Sequence, residues 1–283
     1  MKKHTHIMQK LGAEAFGTMI LTLTVFFAVA GLGSQPLIIG ILAGLVLMLF
    51  VYTIGHISGT HINPGVTIGA LMVNKISWKR ALGYIAAQFA GAGLAIAIAS
   101  GFIPNTPGFA QVYDLIGNGN SIADLDTAQM LRILFAEIIG MVIFTFGIAS
   151  VVFGRAPKGA SGVVIGGSLF MGIMVAVLLG SGGILNPAVA LGLNSLNAMY
   201  ILGPIIGSIF GFWLFYILDT DLHSRKKDHT NTSADKKKYD FKDTSSDSNK
   251  NKSNNNKNQN KNSNNKNQNK NSNNKNKNNN KKK

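Results

Sequence analysis

An unusual Asn-Pro segment occurs twice in this chain, and the two copies lie 123 residues apart. The first copy, GTHINPGVTIG, covers residues 59–69, and the second, GGILNPAVALG, covers residues 182–192. A second landmark repeats with the same spacing, because Glu14 and Glu137 are also 123 residues apart. Two landmarks with one period indicate a duplicated chain. A period this long is typical of two halves of one membrane protein rather than of a solenoid.

Six stretches are long and apolar enough to cross the hydrocarbon core, which takes about 20 residues of helix. The two Asn-Pro segments continue as apolar runs of only about 8–10 residues, which as helix is about 12–15 Å, half a membrane. An Asn followed by Pro is a favourable helix start. The sequence therefore predicts an all-α membrane protein with six transmembrane helices and two re-entrant half-helices. The six spans are predicted at 11–31, 36–56, 80–103, 130–153, 162–181 and 198–218.

The predicted spans give the repeat an inverted geometry. Three spans separate the two copies, so the halves lie upside down relative to each other and the half-helices enter from opposite sides. Their N-termini then meet near the bilayer centre, where Asn63 and Asn186 offer amide donors. Water passing there accepts hydrogen bonds from both amides, and the positive ends of the half-helices repel cations and protons. The predicted pore centre consists of Asn63, Pro64, Gly65, Asn186, Pro187 and Ala188.

The charge of the chain is unevenly distributed. Residues 1–220 hold 9 Lys and Arg against 6 Asp and Glu, whereas residues 221–283 hold 18 against 6. The net charge of +15 therefore belongs mostly to the tail and does not predict a nucleic-acid partner for the folded part. Basic residues in the short connections fall on one side, which predicts that both termini are cytoplasmic, with Arg132 the exception. They are Lys2, Lys3, Lys10, Lys75, Lys79, Arg80, Arg155, Lys158, Arg225, Lys226 and Lys227.

The C-terminal segment has a different composition from the rest of the chain. From about residue 230 it consists of Asn, Lys, Ser and Gln repeats with almost no apolar residue, so we expect residues 221–283 to form a disordered cytoplasmic tail. Residues 1–10 are predicted as a cytoplasmic N-terminus. The chain has no cysteine, which excludes a disulfide, a thiolate nucleophile or a Cys-ligated metal.

Three motifs together resemble the aquaporin, or major intrinsic protein, family over residues 8–218. They are Glu-x-x-Gly at Glu14 and at Glu137, Gly-His-Ile-Ser-Gly-x-His-Ile-Asn-Pro ending at Pro64, and the second Asn-Pro-Ala at 186–188. The resemblance implies an hourglass fold with a channel domain over 11–220, built from repeats at about 11–103 and 130–218. It also implies a pore in each subunit of a homotetramer in the plasma membrane. Family members conduct water or small neutral solutes passively and need no cofactor.

The resemblance also assigns roles to residues outside the Asn-Pro motifs. Carboxylates matching Glu14 and Glu137 brace the re-entrant segments in the family. Since an ionisable residue within a span is costly, we interpret both as structural braces rather than proton carriers. His56 matches a family histidine near the cytoplasmic mouth of the pore. His61 is either a pore-lining residue or a buried hydrogen-bonding residue.

The departures from the family pattern concern its outer selectivity filter. Counted from the Asn-Pro motifs, its four positions fall on Ala43, Met174, Gly183 and Val189. Water-selective members carry a large aromatic residue, a histidine, a small residue and an arginine at these places. The resemblance thus implies a wider, apolar filter without its fixed positive charge. Gly65 replaces the usual alanine of the first motif, a change expected to be harmless.

The sequence predicts a passive channel for water, small uncharged solutes or both, in contact with the lipid bilayer. One alternative is a facilitator for glycerol, urea or ammonia with little selectivity for water. A second alternative is a coupled secondary transporter, which can also be built from inverted repeats with broken helices. An intramembrane enzyme would need a nucleophile or a metal cluster, and we predict neither catalytic residues nor a metal site. A non-conducting anchor for the basic tail is a further alternative.

Overall fold

A computed structural model describes residues 2–32, 35–102, 125–157 and 159–240 of the chain. These residues form helices and connecting segments, and six of the helices are long and apolar enough to cross a membrane. The element order is α1 (Lys2–Leu32), α2 (Pro36–Ser58), α3 (Pro64–Met72), α4 (Trp78–Phe102), α5 (Thr127–Val152), α6 (Ser161–Leu178), α7 (Pro187–Gly192) and α8 (Ala198–Asp240).

The predicted six-span, two-half-helix arrangement is confirmed, and the element boundaries differ by a few residues at most ends. The first helix starts nine residues earlier than its predicted span, so the segment predicted as a separate N-terminus belongs to α1. The half-helices have unequal lengths, with 9 residues in α3 and 6 in α7. Both begin at the proline that follows the asparagine of their Asn-Pro motif, as predicted.

The two halves of the repeat interlock rather than standing side by side. Within the first half, α1 packs against α2 and α4, and within the second half α5 packs against α6. Across the halves, α2 packs against α6, and the half-helix α7 packs against α1 and α4. The half-helix α3 lies against α4 and reaches α8, where Gly69 faces Phe212 and Ser208. The half-helix α3 therefore lies against spans of both halves, and α7 lies against spans of the opposite half.

Glycines allow two of the helix pairs to approach backbone to backbone. A Cβ on Gly44 of α2 would lie 2.7 Å from the carbonyl oxygen of Gly166 on α6. A Cβ on Gly140 of α5 would lie 2.6 Å from the carbonyl oxygen of Gly172 on α6. Small residues at such crossings let membrane helices gain contact area without a hydrophobic driving force between them. They hold α6 between α2 and α5.

The connection between α5 and α6 is fixed by polar contacts to two other helices. Arg155 donates to both carboxylate oxygens of Asp219 near the end of the apolar part of α8, at 2.5 and 2.8 Å. This hydrogen bonding raises the pKa of the Arg155 guanidinium, which therefore stays charged. The hydroxyl of Tyr52 on α2 donates to the carbonyl of Gly159 at 2.8 Å.

The chain divides into two compact units, residues 1–222 and residues 223–283. The apolar part of α8 spans Ala198–Thr220, but the helix continues to Asp240, into the segment predicted to be disordered. The difference has a local reason, because residues 221–240 are rich in lysine, a good helix former, and precede the Asn-rich repeats. Residues 241–283, the rest of the predicted tail, lie outside the described residues.

Candidate functional site

Each half-helix starts with a capping asparagine in extended backbone geometry. The side-chain oxygen of Asn63 accepts a hydrogen bond from the N–H of Gly65 at 2.8 Å. The side-chain oxygen of Asn186 likewise accepts from the N–H of Ala188 at 3.0 Å. Both asparagines are almost fully buried. Capping fixes each amide group so that its nitrogen points away from its own helix.

The two asparagines are linked across the repeat by a reciprocal pair of hydrogen bonds. The Nδ2 of Asn63 donates to the carbonyl of Leu185 at 2.9 Å, and the Nδ2 of Asn186 donates to the carbonyl of Ile62 at 3.0 Å. Each asparagine therefore binds the residue that precedes the other, which brings the N-termini of α3 and α7 together. Since an amide nitrogen carries two hydrogens, each side chain keeps one donor after this bond.

Two buried carboxylates hold the segments that lead into the half-helices. Glu14 accepts from the backbone N–H groups of His61 and Ile62 at 3.0 and 2.6 Å. Glu137 accepts from the matching N–H groups of Ile184 and Leu185 at 3.0 and 2.7 Å. Neither glutamate is accessible to solvent. Both carboxylates therefore satisfy backbone donors that have no helical partner, which non-helical backbone at this depth requires.

The braced segments have a strained backbone at equivalent positions. Ile62 and Leu185 have φ values of +37° and +53°, in the left-handed region that side chains with a Cβ rarely adopt. Thr60 and Gly183 repeat the pattern two residues earlier, with φ values of +52° and +66°. The strain turns the carbonyls of Ile62 and Leu185 toward the opposite asparagine. It persists because the carboxylate and asparagine bonds overdetermine the geometry.

A cavity of about 400 Å³ reaches both paired asparagines, which are among its lining residues. Asn63, Asn186 and His61 line it, together with residues 181–184. Three of the four predicted filter residues, Ala43, Gly183 and Val189, also lie on this wall. The remaining wall is mostly apolar and comprises Leu21, Val25, Val29, Pro36, Ile39, Leu47, Ile62, Phe144, Leu169, Ile173, Val177, Ile184 and Leu193, with Ser195 and Tyr200 as further polar members.

The fourth predicted filter residue, Met174, lies elsewhere. Its Cε sits 2.9 Å from the place that a Cβ would take on Gly40, so it packs on α2 beside the lumen. The neighbouring Ile173 lines the cavity instead, and its Cγ2 lies 3.2 Å from the position of a Cβ on Gly183.

The two histidines of the first re-entrant segment occupy different places. His61 lines the cavity, and its Nδ1 lies 3.1 Å from the Oγ1 of Thr67 while its ring packs edge-on against Tyr84. It thus combines the two roles that the sequence left open. His56, predicted at the pore mouth, lies in a separate groove between the start of α1 and the end of α2. The structure does not bring it to the cavity wall described above.

With the geometry established, comparison with known proteins identifies the family. The family model for major intrinsic proteins matches residues 1–216. The chain belongs to the major intrinsic protein family. Members of this family are passive membrane channels, so the chain is a channel for water or small solutes and not an enzyme.

Several relatives in this family align with most of the chain. Aquaporin Z of Bradyrhizobium diazoefficiens is 30% identical over 213 residues, which cover 73% of this chain and 87% of the relative. Aquaporin AqpM of Methanothermobacter marburgensis is 32% identical over 206 residues, covering 68% of this chain and 80% of the relative. A probable NIP-type aquaporin of Nicotiana alata is 31% identical over 228 residues, covering 75% and 78%.

A solved structure of the same family confirms the fold. The aquaglyceroporin from Plasmodium falciparum superposes with a TM-score of 0.53 at 17% identity. The superposition covers 75% of this chain and 96% of that chain. At this identity the likeness establishes the aquaporin fold alone, including the six spans and the two half-helices.

Three polar residues that support this major intrinsic protein site were not singled out from the sequence. The Nε2 of Gln88 donates to Glu14 at 2.8 Å and to Thr67 at 3.0 Å. Ser181 donates to Glu137 at 2.5 Å, and the hydroxyl of Tyr200 accepts from the N–H of Gly182 at 3.1 Å. A search for polar residues inside apolar spans would have found Gln88. Ser181 and Tyr200 lie at a span end, where polar residues are common and give no signal.

Proposed function

We propose that this channel conducts small uncharged solutes as well as water, with little selectivity for water. The observation that carries the proposal is the apolar wall where the family places its filter. Val189 stands at the arginine position and is 3% exposed, and Ala43, Gly183 and Ile173 complete the ring. We assign Ile173 to the position first counted onto Met174. None of these four side chains can donate a hydrogen bond to a permeating molecule.

The proposed permeation path has one polar strip and one apolar side. We assign the polar strip to residues 181–184, Asn63 and Asn186, all of which line the cavity. Leu, Val, Ile and Phe side chains of α1, α2, α5 and α6 form the opposite side. Such a lumen suits molecules that have a polar edge and donate hydrogen bonds to carbonyls. Glycerol, urea and ammonia meet this description, and a single-file water column loses bonds along the apolar side.

Ion exclusion is assigned to the pore centre rather than to the filter. The N-termini of α3 and α7 present their positive ends there, which opposes cation and proton passage. The family's filter arginine would add a second positive barrier, and Val189 lacks it. We therefore infer that exclusion of cations depends on the central barrier alone.

The hydrogen bonds of the two buried carboxylates favour passive conduction over coupled transport. Each oxygen of Glu14 and Glu137 accepts at least one hydrogen bond from the re-entrant backbone. A proton carrier would have to release these bonds in every cycle. We propose that both residues brace the segments, and that Asn63, Pro64, Gly65, Asn186, Pro187 and Ala188 form the pore centre.

The orientation and assembly of the channel are also proposals. Lys10, Lys75, Lys79 and Arg155 all lie at the same ends of the spans, and the positive-inside rule assigns these ends to the cytoplasm. Both termini would then be cytoplasmic in the plasma membrane. We propose a homotetramer in which each subunit conducts, supported by the cavity that each single chain contains. His56 would lie at the cytoplasmic surface.

Flux measurements in liposomes test the proposed selectivity. The full chain is reconstituted, and shrinkage or swelling is followed by light scattering in gradients of sucrose, glycerol and urea, with ammonia entry followed by an internal pH dye. We expect glycerol, urea and ammonia to enter well above the rate of empty liposomes. Strict water selectivity would overturn the proposal of a wide filter. Solute uptake that requires a proton gradient would overturn passive conduction.

A pair of substitutions at one position separates charge from volume. Val189→Arg places a fixed positive charge and a long side chain in the apolar ring, so glycerol and urea fluxes should fall at least tenfold while water flux falls less. Val189→Leu adds volume without charge and should lower all fluxes by similar, smaller factors. Equal selectivity in Val189→Arg and the unchanged protein, at equal amounts in the liposomes, would show that residue 189 is not part of the filter.

A further inference from the structure

A groove separate from the pore cavity lies between the start of α1 and the end of α2. Its polar side chains are His6, Gln9 and Lys10 on α1 and His56 on α2, and its apolar side chains include Phe16 and Ile54. Its volume is about 740 Å³. It shares no lining residue with the cavity that reaches the asparagines.

One of the residues that line this groove is Gly12, which borders open space. A Cβ added to Gly12 would meet no atom within 4 Å, so the space above this residue is empty in the folded chain. Gly12 lies two residues after Lys10 and four before Phe16, between the polar and the apolar members of the lining. We expect a larger residue at position 12 to occupy part of this space without displacing its neighbours.

The groove is positioned at the level where lipid headgroups begin. The first apolar span starts at His6 and the second ends at Ser58, so the polar members lie at the ends of both spans. Phe16 lies ten residues after His6 on α1, which corresponds to about 15 Å of helix. It is 51% exposed and packs edge-on against Phe50. The lining therefore changes from polar to apolar along the direction in which a phospholipid changes from headgroup to acyl chain.

The polar members match an anion. Lys10 carries a positive charge, and the imidazole rings of His6 and His56 and the amide of Gln9 supply N–H donors. The residues that line the groove include no aspartate or glutamate. Glu14 lies one turn beyond Lys10, but its carboxylate is fully buried and is turned toward the re-entrant segment. Basic pockets between transmembrane helices on the cytoplasmic side bind anionic headgroups.

We propose that this groove binds an anionic phospholipid, with the phosphodiester on Lys10, His6 and His56 and an acyl chain along Ile54 and Phe16. Contact of an acyl chain with Ile54 and Phe16 distinguishes this ligand from a soluble anion, which would contact only the polar side chains. The lipid would join α1 to α2 beside Glu14, the brace of the first re-entrant segment.

Native mass spectrometry of the full chain tests the site directly. The protein in detergent is titrated with phosphatidylglycerol and, in parallel, with phosphatidylcholine of the same acyl chains, and bound lipids are counted. We expect preferential retention of one phosphatidylglycerol per subunit. Lys10→Gln should reduce this preference about fivefold, the effect of one basic residue near an anionic surface. Gly12→Leu should abolish it by filling the groove. Lys79→Gln, at the start of α4 outside the groove, is the matched control and should leave the preference unchanged.

Each alternative occupant gives a different result. Equal retention by Gly12→Leu and the unchanged protein would overturn the proposal. Displacement of the lipid by millimolar inorganic phosphate would show that the groove binds an anion without binding an acyl chain, which would also overturn the proposal. Loss of the assembled mass in Gly12→Leu, with lipid retention by each subunit unaltered, would show that a second copy of the chain covers the groove. Flux in phosphatidylcholine liposomes is independent of all three results, so the proposed function is tested separately.

Discussion

The residues just before Asn63 and Asn186 have a strained backbone. Ile62 is β-branched, and a φ of +37° is a genuine outlier for such a residue. Its N–H donates to Glu14 and its carbonyl accepts from Asn186, so both of its backbone polar groups are held from opposite sides. The equivalent Leu185 is held in the same way by Glu137 and Asn63. The strain is the local cost of turning each of these carbonyls toward the asparagine of the opposite half.

Glu137→Gln should weaken the second re-entrant segment more than its small size change suggests. The amide replaces one acceptor oxygen by a donor that faces the N–H of Ile184 or Leu185, leaving a buried donor unpaired. We expect a loss of about 2–3 kcal/mol in the free energy of unfolding, typical of bonds to a charged group, and a fall in flux. Ser181→Ala removes one hydroxyl donor from the same carboxylate. It is the control, and its free energy of unfolding should fall by less than that of Glu137→Gln. Denaturant titration in detergent measures both variants. Unchanged unfolding of Glu137→Gln would contradict the role of brace.

At the scale of elements, α8 packs closely against α5 through a row of glycines. Gly203, Gly207 and Gly211 recur every four residues and each faces α5. A Cβ on Gly207 would lie 2.8 Å from the Cβ of Met141 and would also meet the carbonyl of Ile138. Since α5 carries Glu137, the position of the brace depends on this crossing.

Gly207→Ala and Gly93→Ala form a matched pair that isolates the packing at this crossing. Both gain helix propensity, about 1 kcal/mol for alanine over glycine. A Cβ on Gly93 meets nothing within 4 Å, so Gly93→Ala should unfold at the same or a higher denaturant concentration. Gly207→Ala should unfold at a lower denaturant concentration, because overpacking should lower its free energy of unfolding by about 1–3 kcal/mol. Equal shifts for the two variants would mean that α5 and α8 can separate at no cost.

The elements differ in how far the sequence determines them. Hydropathy located the spans because length and composition decide whether a helix crosses a bilayer. The Asn-Pro motifs located the starts of α3 and α7 because Asn caps a helix and Pro occupies its first turn. The sequence did not distinguish Ile173 from Met174, because either residue can face the lumen until the rotation of α6 is known. That rotation is set by tertiary contacts, including Met174 on Gly40 and Val177 beside Gly183.

For the whole molecule, the inverted repeat is kept at the two glutamates and the two asparagines and is lost at neighbouring positions. The bonds of Glu14 to the first segment recur at Glu137, and those of Asn63 recur at Asn186, at matching atoms. The neighbouring positions diverge. Gln88 and Thr67 link Glu14 toward His61 in the first half, whereas the positions 123 residues later hold Gly211, Ala190 and Ile184. One half of the lumen therefore keeps a polar side chain that the other replaces by an apolar one.

Removing residues 241–283 should leave conduction intact. The cavity wall and both braces lie between Glu14 and Tyr200, and the family match ends at residue 216. The deleted segment carries 12 Lys and 2 Asp and almost no apolar side chain, so it has no surface with which to stabilise a membrane span. We expect water and glycerol fluxes per molecule within about 20% of the full chain, and an unchanged denaturation midpoint, because the segment makes no apolar contribution to folding. Stopped-flow light scattering on liposomes with matched protein content measures the fluxes, with Asn186→Leu as the control that should abolish them. A marked loss of flux in the truncated chain, at equal insertion, would assign the tail a direct part in opening the pore.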